Sequence, residues 1–345
     1  MTDLNNLDEI RKLDPKDVFG STEKLYNQCK QIWEFVKSCD INSSNVKNIL
    51  ICGMGGSAYG GHVVLSAFKD ELKVPLVIIN DYHLPEFVDS ATLVIITSYS
   101  GTTEESISCL EEAKRKKAQT IVLTSGGLLK ESTEKGYSQG VIFSPEHNPS
   151  GQPRLGTGYI VLGTIAILNK LGFLNITDEQ VNNAVEFLNT DKENIIESAK
   201  ELAQKIKGSV PLLIASGFLE GNIHIIRNQI NETAKNFSEF AVVPELNHHL
   251  MEGLKNPENK KITALFFLSS LYSEIIQKRL TLTKDVVEKN GIEHFKYNVK
   301  GENKLTQVLN VLSFGAYFSF YLAILYDQDP SVIPWVDYFK DQLKK

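Results

Sequence analysis

Two stretches, NILICGMGGSAYGG at 48–61 and IITSYSGTTEES at 95–106, constrain this chain more than any others. Each starts as an apolar, strand-like run and breaks into a loop of Gly, Ser and Thr, the way a buried parallel strand hands over to a helix N-terminus. Backbone N–H groups at a helix start have no intrahelical partner and sit at the positive end of the macrodipole, so such loops suit an anion. In the first loop Gly53, Gly55 and Gly56 let the backbone approach closely and Ser57 adds a hydroxyl. In the second, Ser98, Ser100, Thr102 and Thr103 offer hydroxyls around Gly101.

The surrounding pattern sets the fold class. A helix is expected over 14–38, followed by apolar runs at 48–52, 75–79, 93–97 and 120–124 and a weaker one at 140–143. Helical stretches at 60–69, 103–116 and 128–137 alternate with them. Parallel neighbours need a crossover, and the crossover is a helix, so the alternation predicts an α/β fold with a parallel sheet covered on both faces. Both polar loops then fall at C-terminal strand ends, where open α/β sheets bind ligands. The Pro/Gly-rich segment PEHNPSGQPRLGTG at 145–158 marks a domain boundary, placed after Arg154, giving units 1–154 and 155–345. Beyond it, helices are expected over 159–171 and 178–206. A second alternation follows, with strands at 210–216, 240–243, 262–268 and 294–299 and helices at 219–234, 272–290 and 305–326. A short C-terminal helix begins at Pro334.

Composition excludes several partners. A chain of 345 residues, 42% hydrophobic, is long enough for two cored domains. A net charge of −6 argues against nucleic acid, and the cluster at 114–117 reads as a solvated helix face. The N-terminal MTDLNNLDEIRKLD carries no apolar signal region. No apolar run approaches a membrane span of roughly 18–20 residues without a charge or break, so no membrane partner and a cytoplasmic location are expected. The apolar segment 311–325 instead reads as buried. Cys29, Cys39, Cys52 and Cys109 form no CxxC pair and read as reduced thiols. The adjacent His248 and His249 cannot face one another as a ligand pair, so no metal is expected.

Gly53-x-Gly55-x-x-Ala58 fits a dinucleotide fingerprint, with Asp81 near the place of a ribose-binding carboxylate. Asp81 comes late, however, and is followed by a turn at 82–85. The Ser/Thr-rich second loop has no part in a dinucleotide site, yet it suits a phosphomonoester with several oxygens to satisfy. A P-loop is excluded because no GK[ST] follows. No cofactor is expected.

Taken together and in order, GMGGSAYGG, SYSGTTEES, TSGG at 124–127, PSGQPRLGTGY, NETAK, PELNHH and DPSVIPWVDYFKDQL resemble the bifunctional phosphoglucose/phosphomannose isomerase family. The resemblance runs from Asn48 to Leu343. It implies two tandem sugar isomerase (SIS) domains of flavodoxin-like form and aldose–ketose interconversion of glucose 6-phosphate, and of mannose 6-phosphate, with fructose 6-phosphate through a cis-enediolate. Such chemistry needs a carboxylate base, a cation or donor near the two oxygens and an acid/base pair to open the ring.

By resemblance, Gly55, Gly56, Ser57, Ser98, Ser100 and Thr103 hold the substrate phosphate, Glu232 transfers the proton, Arg154 faces the enediolate oxygens, and His248 and Lys340 open the ring. The family also implies a homodimer with the active site at the subunit interface and the histidine supplied by the neighbour. This chain departs from the family at Thr233 (NET for NEN), at His249, where Asn is the family's residue, and at Ser331, near a position where threonine is common. Those departures keep a glucose-only enzyme open. Two other functions stay open: a non-catalytic sugar-phosphate sensor, and a SIS isomerase for another sugar phosphate. Against the sensor, no segment is spare for an effector module.

Overall fold

A computed structural model describes residues 4–345, apart from the side chain of Leu7. Helices α1 (Leu7–Leu13), α2 (Val18–Glu23) and α3 (Leu25–Ser38) precede the first sheet. The single helix expected over 14–38 is therefore two. Asp14 accepts from the backbone N–H groups of Val18 and Phe19 at 2.8 Å, and Asp17, in the left-handed region with φ 55°, caps α2 through Gly20 N–H. Short acidic side chains that bond the local backbone in this way start helices rather than continue them.

The first sheet comprises β1 (Asn48–Cys52), β2 (Leu76–Ile79), β3 (Thr92–Ser98), β4 (Gln119–Thr124) and β5 (Gln139–Ile142), all parallel in the order β2-β1-β3-β4-β5. This is the flavodoxin-like order, with a switch point between β1 and β3. The crossovers run through α4 (Tyr59–Ala67), α5 (Glu104–Arg115) and α6 (Gly127–Glu134). Successive residues of each strand serve opposite faces. Ile49, Ile51, Leu93, Ile95, Ile121 and Leu123 belong to a core shared with α3, α4 and α7 (Thr157–Lys170). Leu50, Cys52, Val94, Ile96 and Val122 meet Cys109, Leu110 and Ala113 of α5 and Leu129 of α6 on the other.

The second half contains α8 (Asp178–Thr190), α9 (Lys192–Ile206), β6 (Val210–Ser216), α10 (Glu220–Gln229), β7 (Glu239–Val243), α11 (Leu250–Gly253), β8 (Ile262–Leu268), α12 (Glu274–Lys289), β9 (Glu293–Asn298), α13 (Lys304–Leu325) and α14 (Pro334–Leu343). Its parallel sheet runs β7-β6-β8-β9, the order of the first sheet without a fifth strand. The helix expected over 178–206 is broken at Asp191, which closes α8 by an N–H bond to Phe187 and takes the Asn194 amide at 2.7 Å. α13 departs from the expectation that no apolar run reaches membrane length. Its 22 residues have the length and hydropathy of a span, yet the apolar stretch is wholly buried inside the protein. Each fully buried Phe or Leu along it contributes about 1.5–3 kcal/mol, which makes α13 the central post of the second half.

The two halves meet along α4 and α10, which share one continuous core. Gly221 N–H donates to Ser66 Oγ at 3.1 Å, and the His62 and His224 rings stack with centroids 4.0 Å apart. That contact aligns the end of the first phosphate-type loop with the end of α10.

Candidate active site

The glycine-rich segment turns through a 3-10 helix, Gly55–Ala58, at the C-terminal end of β1, and the Ser/Thr loop lies beside it at the end of β3. Ser57 Oγ accepts from Tyr99 N–H at 2.9 Å, so the two loops are joined by a hydrogen bond. Ser98 is fully buried. Its hydroxyl accepts from Gly101 N–H at 3.1 Å and pairs with Thr103 Oγ1 at 3.0 Å. Ser100 is exposed and pairs with Thr102 at 3.1 Å. Gly101 has φ +70°, and a Cβ there would stand 1.8 Å from the Gly126 carbonyl oxygen, so the loop closes against TSGG only with glycine. The loop leads directly into α5, whose first turn carries Glu104 and Glu105. Ser98 and Thr103 thus shape the loop, while Ser100 and the glycine turn present donors outward.

Gly56 connects this region to the arginine. A Cβ on Gly56 would lie 3.1 Å from Arg154 Cα and 3.2 Å from its nitrogen, so turn and arginine backbone are in contact. The crossing segment is held by Gln28, whose side chain bonds the carbonyls of His147 and Leu155 and the N–H of Gly158. Tyr99 holds it too, through its hydroxyl to Asn148 at 2.7 Å. A sequence reading did not single out Tyr99, Asn148 or Gln28, because each acts by bridging segments remote along the chain.

Arg154 is 2% exposed. Its Nε donates to Thr233 Oγ1 at 3.1 Å, Nη1 to Gln152 Oε1 at 3.0 Å, and Nη2 to the carbonyls of Pro330 and Ser331 at 2.7 and 3.0 Å. Nη1 also faces Glu232 Oε2 at 3.8 Å. A guanidinium has five N–H donors, so four are spent on posture and the remaining one is directed from Nη1 toward the carboxylate's side of the site. Two of the departures noted in the sequence, Thr233 and Ser331, are direct partners of this arginine.

Glu232 lies on a π-helical turn, Ile230–Ala234, that continues α10. Such turns occur mostly as single insertions in α-helices and often at functional sites. Burial pushes its carboxyl above the ordinary glutamate range, against the opposing pull of Arg154 and Lys340. Its side chain nevertheless keeps 30% of its surface open, as a base that must meet a substrate requires. Burial likewise lowers the Arg154 pKa, and the Glu232 charge opposes it. Lys235, next to this turn, donates to the carbonyls of Thr233 and Asp329, and burial lowers it to about 8.

Lys340, on the exposed helix α14, is close enough for its charge to act on Glu232. His248 ends a 3-10 turn, Glu245–His248, beyond β7 and is exposed. Among the described residues no hydrogen bond or ion pair joins it to Arg154, Glu232 or Lys340. His249 binds Glu245 at 2.8 Å. The fold therefore brings the glycine turn, Arg154 and Glu232 together, with the charge of Lys340 acting on Glu232, and no such bond among the described residues ties His248 to them. Among the described residues no group of three or more His, Cys, Asp or Glu is arranged to hold a metal ion. A cavity of about 530 Å³ lies elsewhere, between α9 and β9, and none of the motif residues lines it.

The geometry can be set beside known proteins. Residues 44–132 match the SIS domain family, and 195–343 match the bacterial phospho-glucose isomerase C-terminal SIS domain. A bifunctional phosphoglucose/phosphomannose isomerase of Caldicellulosiruptor bescii is 33% identical over 94% of this chain and 98% of its own length. This chain belongs to that isomerase family. A D-glucosamine-6-phosphate 4-epimerase of Sulfolobus acidocaldarius is 31% identical over 66% of this chain and 71% of its own. In fold, a hypothetical protein of Thermus thermophilus superposes with a TM-score of 0.74, covering 98% of this chain and 93% of that one at 14% identity. Two SIS units, each a parallel sheet flanked by helices, are thus the family's architecture and this chain's.

Proposed function

We propose that this protein interconverts glucose 6-phosphate, and its C2 epimer mannose 6-phosphate, with fructose 6-phosphate through a cis-enediolate. The carrying observation is the meeting of Arg154 and Glu232, one from each half, beside the glycine turn. The phosphate sits on Gly55, Gly56, Ser57 and Ser100, in the loop shaped by Ser98 and Thr103. Lys340 and His248 move protons at the ring oxygen and hydroxyl to open the ring. Glu232 takes the proton from C2 of the aldose, and the electron pair moves through the new C1–C2 double bond onto the C1 oxygen, where Arg154 meets the charge. Transfer of the 2-hydroxyl proton to the C1 oxygen and return of the proton from Glu232 to C1 give the ketose. A half-open carboxylate held above its ordinary pKa suits both taking and giving that proton.

The working form is a homodimer with its site at the interface. Supporting this, α14 buries none of its residues and exposes Trp335 at 81% together with Tyr338, Phe339 and Leu343, a face that gains by being covered. The exposed His248 is then the neighbour's contribution. The unit boundary falls after Arg154 in the Pro/Gly-rich crossing segment, although α7 beyond it packs on α3. A cytoplasmic location accords with four free cysteines. The test is incubation of the metal-free protein with fructose 6-phosphate while NMR follows both aldoses. Formation of both supports the proposal. Glucose 6-phosphate alone removes the mannose activity, and no turnover favours a sugar-phosphate sensor.

A further inference from the structure

Tyr59 is a buried polar group close to this chemistry that the reaction above leaves unused. It directly follows the glycine turn, opens α4 and is fully buried. Its hydroxyl is shut off from solvent and forms no full hydrogen bond, with only the Asn228 side chain beside it. A hydroxyl withdrawn from water without a partner forfeits its solvation for nothing, so a donor in this condition beside a catalytic carboxylate calls for a use.

The helix pairing says where it stands. α4 and α10 run in opposite directions, with Ser66 bonded to Gly221 and His62 stacked on His224. One turn back from His62 is Tyr59, and one turn on from His224 is Asn228, whose side chain lies by the phenol. The next residues along are the π turn that carries Glu232. The charges acting on the phenol are those of Glu232, Arg154 and Arg227, and those acting on Glu232 are Arg154 and Lys340. Asp329 and Asp337 act in turn on Arg154. His62 and His224 occupy the turn beyond, packed on each other and on Phe240.

We propose that Tyr59 is a positioning residue for the base: with substrate seated, its hydroxyl donates to the Glu232 carboxylate, fixing which oxygen faces the sugar. Burial and the neighbouring negative charge both keep the phenol protonated, so its O–H stays available as a donor. A bond to the ionised carboxylate favours that form, and so holds down a proton affinity that burial raises. The proposal rests on Glu232 being the base.

The test uses Tyr59→Phe, which removes one oxygen and keeps the ring. The Glu232 side-chain carboxyl carbon is titrated by ¹³C NMR, assigned by its loss in Glu232→Gln, in protein saturated with glucitol 6-phosphate, a sugar phosphate without a carbonyl. Tyr59→Phe is expected to raise the midpoint by about one pH unit and to move the acid limb of kcat for fructose 6-phosphate, which reports the substrate complex, equally. Its melting temperature changes little, because the lost hydroxyl had no full hydrogen bond. Titration curves and acid limbs that superimpose on the parent's would overturn the proposal. A shifted midpoint in a protein that turns over no fructose 6-phosphate upholds the positioning role while removing the isomerase function.

Discussion

Glu232 combines a raised pKa with partial exposure, and that combination predicts a pH behaviour. The acid limb of kcat/KM lies above the ordinary glutamate value of 4.5, as pH–rate measurements on fructose 6-phosphate will report. The same shift affects stability with a definite sign. Between 4.5 and the raised value the folded state holds a proton that the unfolded chain has lost, so this carboxyl's contribution falls as pH rises through that window. Denaturant melts of the protein and of Glu232→Gln check it: the glutamine variant lacks that part of the slope. Arg154→Lys leaves the carbonyls of Pro330 and Ser331 without their fork of donors, and is expected to cost about 2–4 kcal/mol in chemical denaturation as well as most turnover. An unaltered midpoint would show that the fork is dispensable. Both residues were legible in the sequence only through the order of motifs, since an isolated Glu or Arg carries no such information. Tyr99 and Gln152 were not legible, because their roles are contacts with distant or freshly folded segments, Tyr99 to Ser57 and Asn148 and Gln152 to the guanidinium.

Glycines and helix ends set the positions of the elements. Gly56 lets the phosphate turn lie against the Arg154 backbone, so the Cβ of Gly56→Ala, which faces that backbone, pushes on the arginine. The expected result is a fall in kcat of about tenfold or more with a smaller change in the affinity for inorganic phosphate, measured by steady-state kinetics and calorimetry. Gly101→Ala is harsher. Its Cβ meets a carbonyl oxygen at a positive φ, so the second loop must open and phosphate affinity is lost along with stability. Strand positions followed from apolar runs within a residue or two, since buried parallel strands admit little else. Of the two helices read as continuous, one starts late, at Val18 after Asp14 and Asp17 bond the local backbone, and breaks at Lys24, and the other breaks at Asp191, which takes the Asn194 amide. Apolar periodicity persists across such breaks and hides them. α13 is the opposite case, long and uniformly apolar, and only its burial among α8, α9 and α10 distinguishes it from a membrane helix.

At the scale of the whole molecule, the proposed site draws on both halves, with the loops and Arg154 from one and Glu232 and Lys340 from the other. His248, exposed and, among the described residues, without a hydrogen bond or ion pair to this group, extends the same proposal to a second copy. If the histidine comes from the neighbour, mixing inactive Glu232→Gln and His248→Asn subunits restores about a quarter of the parent activity, because a mixed dimer keeps one intact site. No recovery after verified subunit exchange would place His248 outside the reaction or within its own subunit's site. The tandem sheets were legible as two alternations of strand and helix, whereas the way α4 and α10 join them was not, because helix pairing across units leaves no periodic trace. The most direct measurement on the central claim is solvent deuterium uptake. Fructose 6-phosphate is incubated in D₂O with the parent protein and with Glu232→Gln, and NMR reads deuterium at C2 of the aldose formed. The parent is expected to label C2, while the glutamine variant still binds the sugar phosphate but labels it at least about a hundredfold more slowly. Equal labelling by both proteins would contradict the assignment of Glu232 as the base.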